Sequence, residues 1–196
     1  MASGRPLYRK PFPPSPSELT KRNWNLESTG EISCRHTDGE FLRAADALWI
    51  PRRRPGDVQN WRWTKIHPDA RDIFGLMAIL GETSGTPLGL WVSTASRLLD
   101  LPGGPAYRVD FLELYREVRG AEVGVFLMGL IADRALECGA KRVVLGSFPE
   151  SRKLYDVTGG RQHPVKGWKV AEGLLPYEFL ERELVELREA ADERRS

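Results

Sequence analysis

Cysteine is nearly missing from this chain and histidine is scarce, with two of the first and three of the second in 196 residues. Cys34 and Cys138 are too few for the disulfide framework of a small secreted domain, and they read as reduced thiols, structural or incidental. His36, His67 and His163 stand apart, without companions at the spacing zinc requires, so no metal site is expected. No window approaches the ~20 apolar residues of a membrane span. The opening stretch MASGRPLYRKPFPPSPSELTKR lacks the apolar centre of a secretory signal, which leaves a cytoplasmic, membrane-free protein as the expectation. Charge of one sign is lacking too: the formal net charge is +2, a small electrostatic footprint for a nucleic-acid binder. Neither the G-K-[ST] phosphate loop nor the G-x-G-x-x-G dinucleotide fingerprint occurs, and no internal repeat is visible.

What is present suits one globular domain. The apolar share is 41% and the charged share 29%, and the length is enough for a proper core. Residues 1–17, rich in proline, basic and small residues, can bury little and are expected to form an arm, leaving 18–196 as the domain. Charge is uneven within it. IPRRRPGDVQNWRWTK concentrates Arg52, Arg53, Arg54, Arg62 and Lys65 around Trp61 and Trp63, whereas YEFLERELVELREAADE is mostly acidic. The basic stretch could track phosphates and stack bases; without a basic excess overall, a solvated loop followed by a strand with core-facing tryptophans is the favoured expectation.

Periodicity then orders the elements. GEISCRH reads as a short strand. DGEFLRAADALWI reads as a helix, capped by Asp38, with Phe41, Leu42, Ala45 and Leu48 at helical spacing and Pro51 as its stop. DIFGLMAILG and PLGLWVSTAS, separated by ETSGT, form a hairpin. In AYRVDFLELY, Tyr107, Val109, Phe111, Glu113 and Tyr115 alternate with Arg108, Asp110, Leu112 and Leu114, a strand period that sets Glu113 beside aromatics. Val123, Leu127, Leu130, Ile131, Ala135 and Leu136 recur at three and four residues, and Gly139 closes that helix. RVVLGSF follows as a strand, parallel to the one before it because a helical crossover joins them. PESRKLYDVTGG is a short helix opened by Pro149; GWKVAEGL is the most convincing late strand; LPYEFLERELVELREAADERR is an amphipathic helix with Tyr177, Leu180, Leu184 and Leu187 on one side.

Between strand and long helix lies VRGAEVG. A helix N-terminus offers unpaired amides and a partial positive charge, glycines let the backbone approach an anion, and Arg119 can add a bidentate contact. This is a candidate pyrophosphate cradle; a plain helix start is the alternative.

The order of hairpin, strand, R-x-x-x-x-G turn, apolar helix, short strand and a helix ending LYDVTGG resembles the GNAT acyltransferase superfamily over about residues 70 to 160. In that family the turn reads Q/R-x-x-G-x-G/A. Arg119 matches its first position and Gly124 its last, with Gly120, Ala121 and Val123 between, while Glu122 stands at the middle glycine. A later N-x-x-A-x-x-L-Y-x-x-x-G-F pattern is met by Leu154, Tyr155 and Gly159 and departed from at Phe148 and Gly160; Ser151 lies within it.

The resemblance implies an α/β fold with a mixed, twisted central sheet, helices on both faces and an added C-terminal amphipathic helix. It implies acetyl-CoA or another acyl-CoA as co-substrate, held by Leu114, Tyr115, Arg119, Gly120, Ala121, Glu122, Val123, Gly124, Val125 and Ser151. The activity implied is N-acyl transfer to an amine on a small molecule or a protein by direct attack. Tyr155 would protonate the departing thiolate, and Glu113, at the strand end on an aromatic face, would serve as base, with Asp110 and Glu117 behind it; a core aromatic and a solvent-facing strand residue are the alternatives for the two. Glu122, Phe148 and Gly160 motivate the alternative, a degenerate relative kept as a binding module. The Leu180, Leu184 and Leu187 stripe could serve a homodimer or pack on its own sheet.

Overall fold

The computed structural model describes residues 31–36, 39–53, 61–65, 72–80, 83–93, 98–114 and 123–193. The expected arm, Asp38 and the turn from Tyr115 to Glu122 lie outside the described residues.

Two sheets carry the fold. The first has the order β1-β2-β3-β6, from Glu31–His36, Asp72–Leu80, Thr83–Ser93 and Phe111–Leu114, all antiparallel. The second has the order β4-β5-β7-β9-β8, from Leu99–Leu101, Gly104–Val109, Arg142–Ser147, Leu175–Leu180 and Arg161–Gln162. In it β5 and β7 are parallel, as the crossover requires, and the other pairs are antiparallel. The expected hairpin is β2 and β3, its second strand beginning at Thr83, earlier than the turn residues suggest.

The crossover helix α2, Val123–Glu137, is buried on nearly every side because a second helix covers the face it turns from the sheet. Its end follows glycine chemistry: Gly139 has φ +80°, and the amides of Gly139 and Ala140 donate to the carbonyls of Leu136 and Ala135 at 2.9 Å each. α1, Gly39–Trp49, buries Phe41, Ala45 and Trp49 and gives way at Pro51 to a 3₁₀ turn. α3, Arg152–Val157, follows a 3₁₀ turn opened by Pro149.

The C-terminal third departs from expectation. The terminal helix α4 is Glu181–Glu193; LPYEFL before it is β9. Pro176 cannot sit inside a helix, and alternation places Tyr177 and Phe179 in the main core with Glu178 turned the other way. GWKVAEGL is not a strand: Gly167 and Gly173 have φ +86° and +82°, and the segment crosses the sheet's second face instead. There Val165 packs with Leu101, Ala106 and Val144, Trp168 covers them, and buried Glu178 pairs with Arg142 at 2.6 Å and His163 at 2.9 Å.

The leucine stripe is used internally. Leu184, Leu187 and Ala191 are buried, and a Cβ at Gly129 of α2 would lie 2.5 Å from Ala191 Cβ and 2.7 Å from the Leu187 carbonyl. Only a glycine lets α4 settle that closely on α2, so this stripe is not spare for a second subunit.

Candidate functional site

The strand expected from Tyr107 to Leu114 breaks at Asp110, and the break makes the site. Upstream, Ala106 to Val109 pair with Arg142 to Leu145 of β7. Downstream, β6 leaves β7 and pairs with β3, from Phe111 opposite Val92 to Leu114 opposite Gly89. Beyond the last shared pair, Val109 with Leu145, the two parallel strands therefore diverge into a fork. Asp110 stands at its vertex, held by Arg108 Nε at 2.6 Å.

The start of α2 lies over the open end of this fork. Val123 and Gly124 are buried, and a Cβ at Gly124 would lie 3.0 Å from Leu154 Cδ1 and 3.2 Å from Leu114 Cδ1. A side chain there would have to displace both leucine methyls, so glycine suits the convergence of helix, strand and α3. Of the expected cradle, Leu114 ends β6, Val123, Gly124 and Val125 open α2, and Ser151 closes the turn before α3. Tyr115, Arg119, Gly120, Ala121 and Glu122 lie outside the described residues.

Tyr155 sits on α3, buried against Tyr177 (ring centroids 5.2 Å apart) and Phe179 (6.5 Å). Burial, then the neighbouring Tyr177, pushes its hydroxyl well above the usual phenol range, so it keeps its proton at neutral pH. Burial also pushes Tyr177 up to about 12; its hydroxyl donates to Asp156 at 2.7 Å, which holds that carboxyl below the usual range. Gly160, where the resemblance would have phenylalanine, has no room for one: a Cβ there would lie 2.7 Å from Phe179.

Glu113, the expected base, has partners on both oxygens. It is 2% exposed. Arg53 Nη2 donates to Oε1 at 3.2 Å and Oε2 at 3.0 Å, and the Trp63 indole donates to Oε2 at 2.7 Å. These contacts tie β6 to the Arg53 and Trp63 segment.

That segment is the tryptophan stretch. Trp63 is fully buried in a 3₁₀ turn rather than a strand. Asp46 of α1 fastens the turn, accepting from the Trp63 amide at 2.7 Å, the Thr64 amide at 3.0 Å and the Thr64 hydroxyl at 2.7 Å. Trp61 reaches both arms of the fork: its ring lies edge-on to Phe111 at 5.4 Å and stacks on Phe148 at 6.3 Å with planes 16° apart. Arg53, Trp61, Trp63 and Asp46 were not legible as one unit from sequence. The signal was an arginine cluster next to two tryptophans, and its acidic partner lies sixty residues on.

Among the described residues no helix is long and apolar enough to cross a membrane, and no group of three potential ligands could hold a metal ion.

Comparison with solved structures bears directly on the fold of this mixed α/β chain, whose parallel strands fork. RimJ of Mycobacterium smegmatis, solved with CoA-disulfide, superposes with a TM-score of 0.53 at 14% identity, covering 84% of this chain and 88% of that one. Ard1 of Thermoplasma volcanium gives 0.53 at 12%, covering 76% and 97%. A GNAT-family acetyltransferase of Listeria monocytogenes gives 0.50 at 11%, covering 76% and 95%. The chain has the GNAT fold. No family model and no curated protein matches the sequence.

Proposed function

We propose that the chain is an acyl-CoA-dependent N-acyltransferase, in the simplest case an acetyltransferase. The observation that carries this is the fork, with β6 and β7 parting at Asp110 and a helix N-terminus set over the open end. The fit favours an extended thioester with a charged head. The diverging strands expose backbone where a carbonyl can be received.

In this proposal backbone amides of β6, the strand that ends near Leu114 and Tyr115, hold the acyl carbonyl, and Leu114 and Tyr115 flank the CoA arm at the mouth. The turn from Arg119 through Val125 holds the phosphates, with Ser151 beside it. Acyl-CoA supplies the activated acyl group and a thiolate leaving group. Tyr155 holds the proton for that thiolate on its hydroxyl oxygen. Glu113 fixes the Arg53–Trp63 segment that walls the fork, so its part is positioning. The acceptor is an amine: its nitrogen bonds the acyl carbon as the C–S bond breaks, the thiolate takes the Tyr155 proton, and the proton lost by the nitrogen passes through solvent to restore the tyrosine hydroxyl.

Thiol release from acetyl-CoA over a panel of amines, including polyamines, amino acids and peptides with free N-termini, tests the proposal. Amine-dependent release above the hydrolysis background supports it. Its absence across the panel, in protein that binds CoA, would favour the degenerate binding module.

A further inference from the structure

Trp61 occupies the inner end of the fork, and we propose that its indole sets the length of acyl chain the protein accepts. This rests on the acyl-CoA reading above. Leu114, at the mouth, packs against the start of α2, where the phosphates would lie. Phe111 is three residues further in, about 10 Å along an extended strand. A thioester lying along β6 with its head at α2 therefore brings its acyl end to Phe111, and there Trp61 stands, edge-on to Phe111 and stacked on Phe148. One ring closes the gap between two strands that no longer pair.

The plug is held rigidly. The Trp61 carbonyl accepts from Arg53 Nη1, and Arg53 is fixed in turn by buried Glu113. Two residues on, the Trp63 amide is fastened to Asp46 and its indole to Glu113. A wall tied at both ends cannot move aside cheaply for extra methylenes, and a rigid apolar floor discriminates chains by size. The Trp61 indole itself is held by rings alone, since its buried Nε1 has no acceptor among the described residues. Truncating it removes volume without stranding a polar partner.

The test is calorimetric titration of CoA, acetyl-CoA and octanoyl-CoA into the wild type and Trp61→Ala, with Trp61→Leu replacing the alanine variant if that does not fold. The wild type is expected to bind acetyl-CoA at least about tenfold tighter than octanoyl-CoA, and the variant to bring the two within about threefold or invert them. CoA affinity is expected to be unchanged. An identical acetyl-to-octanoyl ratio in both proteins, with CoA bound, overturns the assignment to Trp61 and leaves the acyl-CoA reading standing. Failure of every protein to bind CoA overturns both.

Discussion

Replacing Glu113 by glutamine separates an anchor from a base. Glutamine keeps the shape and an oxygen for the Trp63 indole but removes the charge that Arg53 faces, and Arg53 is only 15% exposed. Breaking a buried ion pair by removing one partner costs about 3–5 kcal/mol. The retained indole contact and the residual exposure of Arg53 place this case near the lower end, at about 3 kcal/mol. For a chain of this length that lowers Tm by roughly 6–12 °C. Arg53→Met should cost a similar amount, because it strands the carboxylate. The double variant should cost less than the sum by about 2 kcal/mol, since each change removes the other's orphaned charge. Urea unfolding followed by tryptophan fluorescence measures all four corners of the cycle. A glutamine variant melting within about 2 °C of wild type, or an additive cycle, would refute the anchoring role.

Gly129→Ala drives a methyl into Ala191 and the Leu187 carbonyl, so despite the better helix propensity of alanine it should destabilise by about 1–2 kcal/mol in chemical unfolding. Equal or greater stability would mean that α4 does not lie so close to α2. Tyr155→Phe should lower kcat about a hundredfold or more with little change in the KM for acetyl-CoA, because the hydroxyl supplies a proton and not affinity. Asp156→Asn should flatten the acid limb of stability: the lowered Asp156 carboxyl contributes above the usual carboxylate range and loses that contribution as pH falls through its folded value. Wild-type Tm should therefore fall more steeply than the variant's below about pH 4.

Much of the fold was legible because local chemistry agreed with it. The helical spacing of Val123 to Leu136, the glycine at 139, the strand RVVLGSF and the crossover between them were all readable, and the parallel β5–β7 pair follows. The C-terminal third was not, because Tyr177, Leu180, Leu184 and Leu187 satisfy a helical period by coincidence while Pro176 and the Tyr177–Phe179 alternation answer to the sheet. A splay of two parallel strands follows from the family resemblance, but its place does not show in the residue pattern. A strand that changes partners at Asp110 keeps the same alternation on both sides, so nothing in the pattern marks the break. The Glu113 contacts rest on Arg53 and Trp63, far away in sequence; a solvated loop followed by a core-facing tryptophan strand was the expectation, and nothing in it joined either residue to Glu113.

The central claim is that the fork and the turn leading into α2 hold acyl-CoA, and calorimetric titration of acetyl-CoA into wild type and Arg119→Ala tests it most directly. Micromolar binding by the wild type, weakened in the variant, is the expected result. Absence of binding up to millimolar concentration in a folded wild-type protein would contradict it.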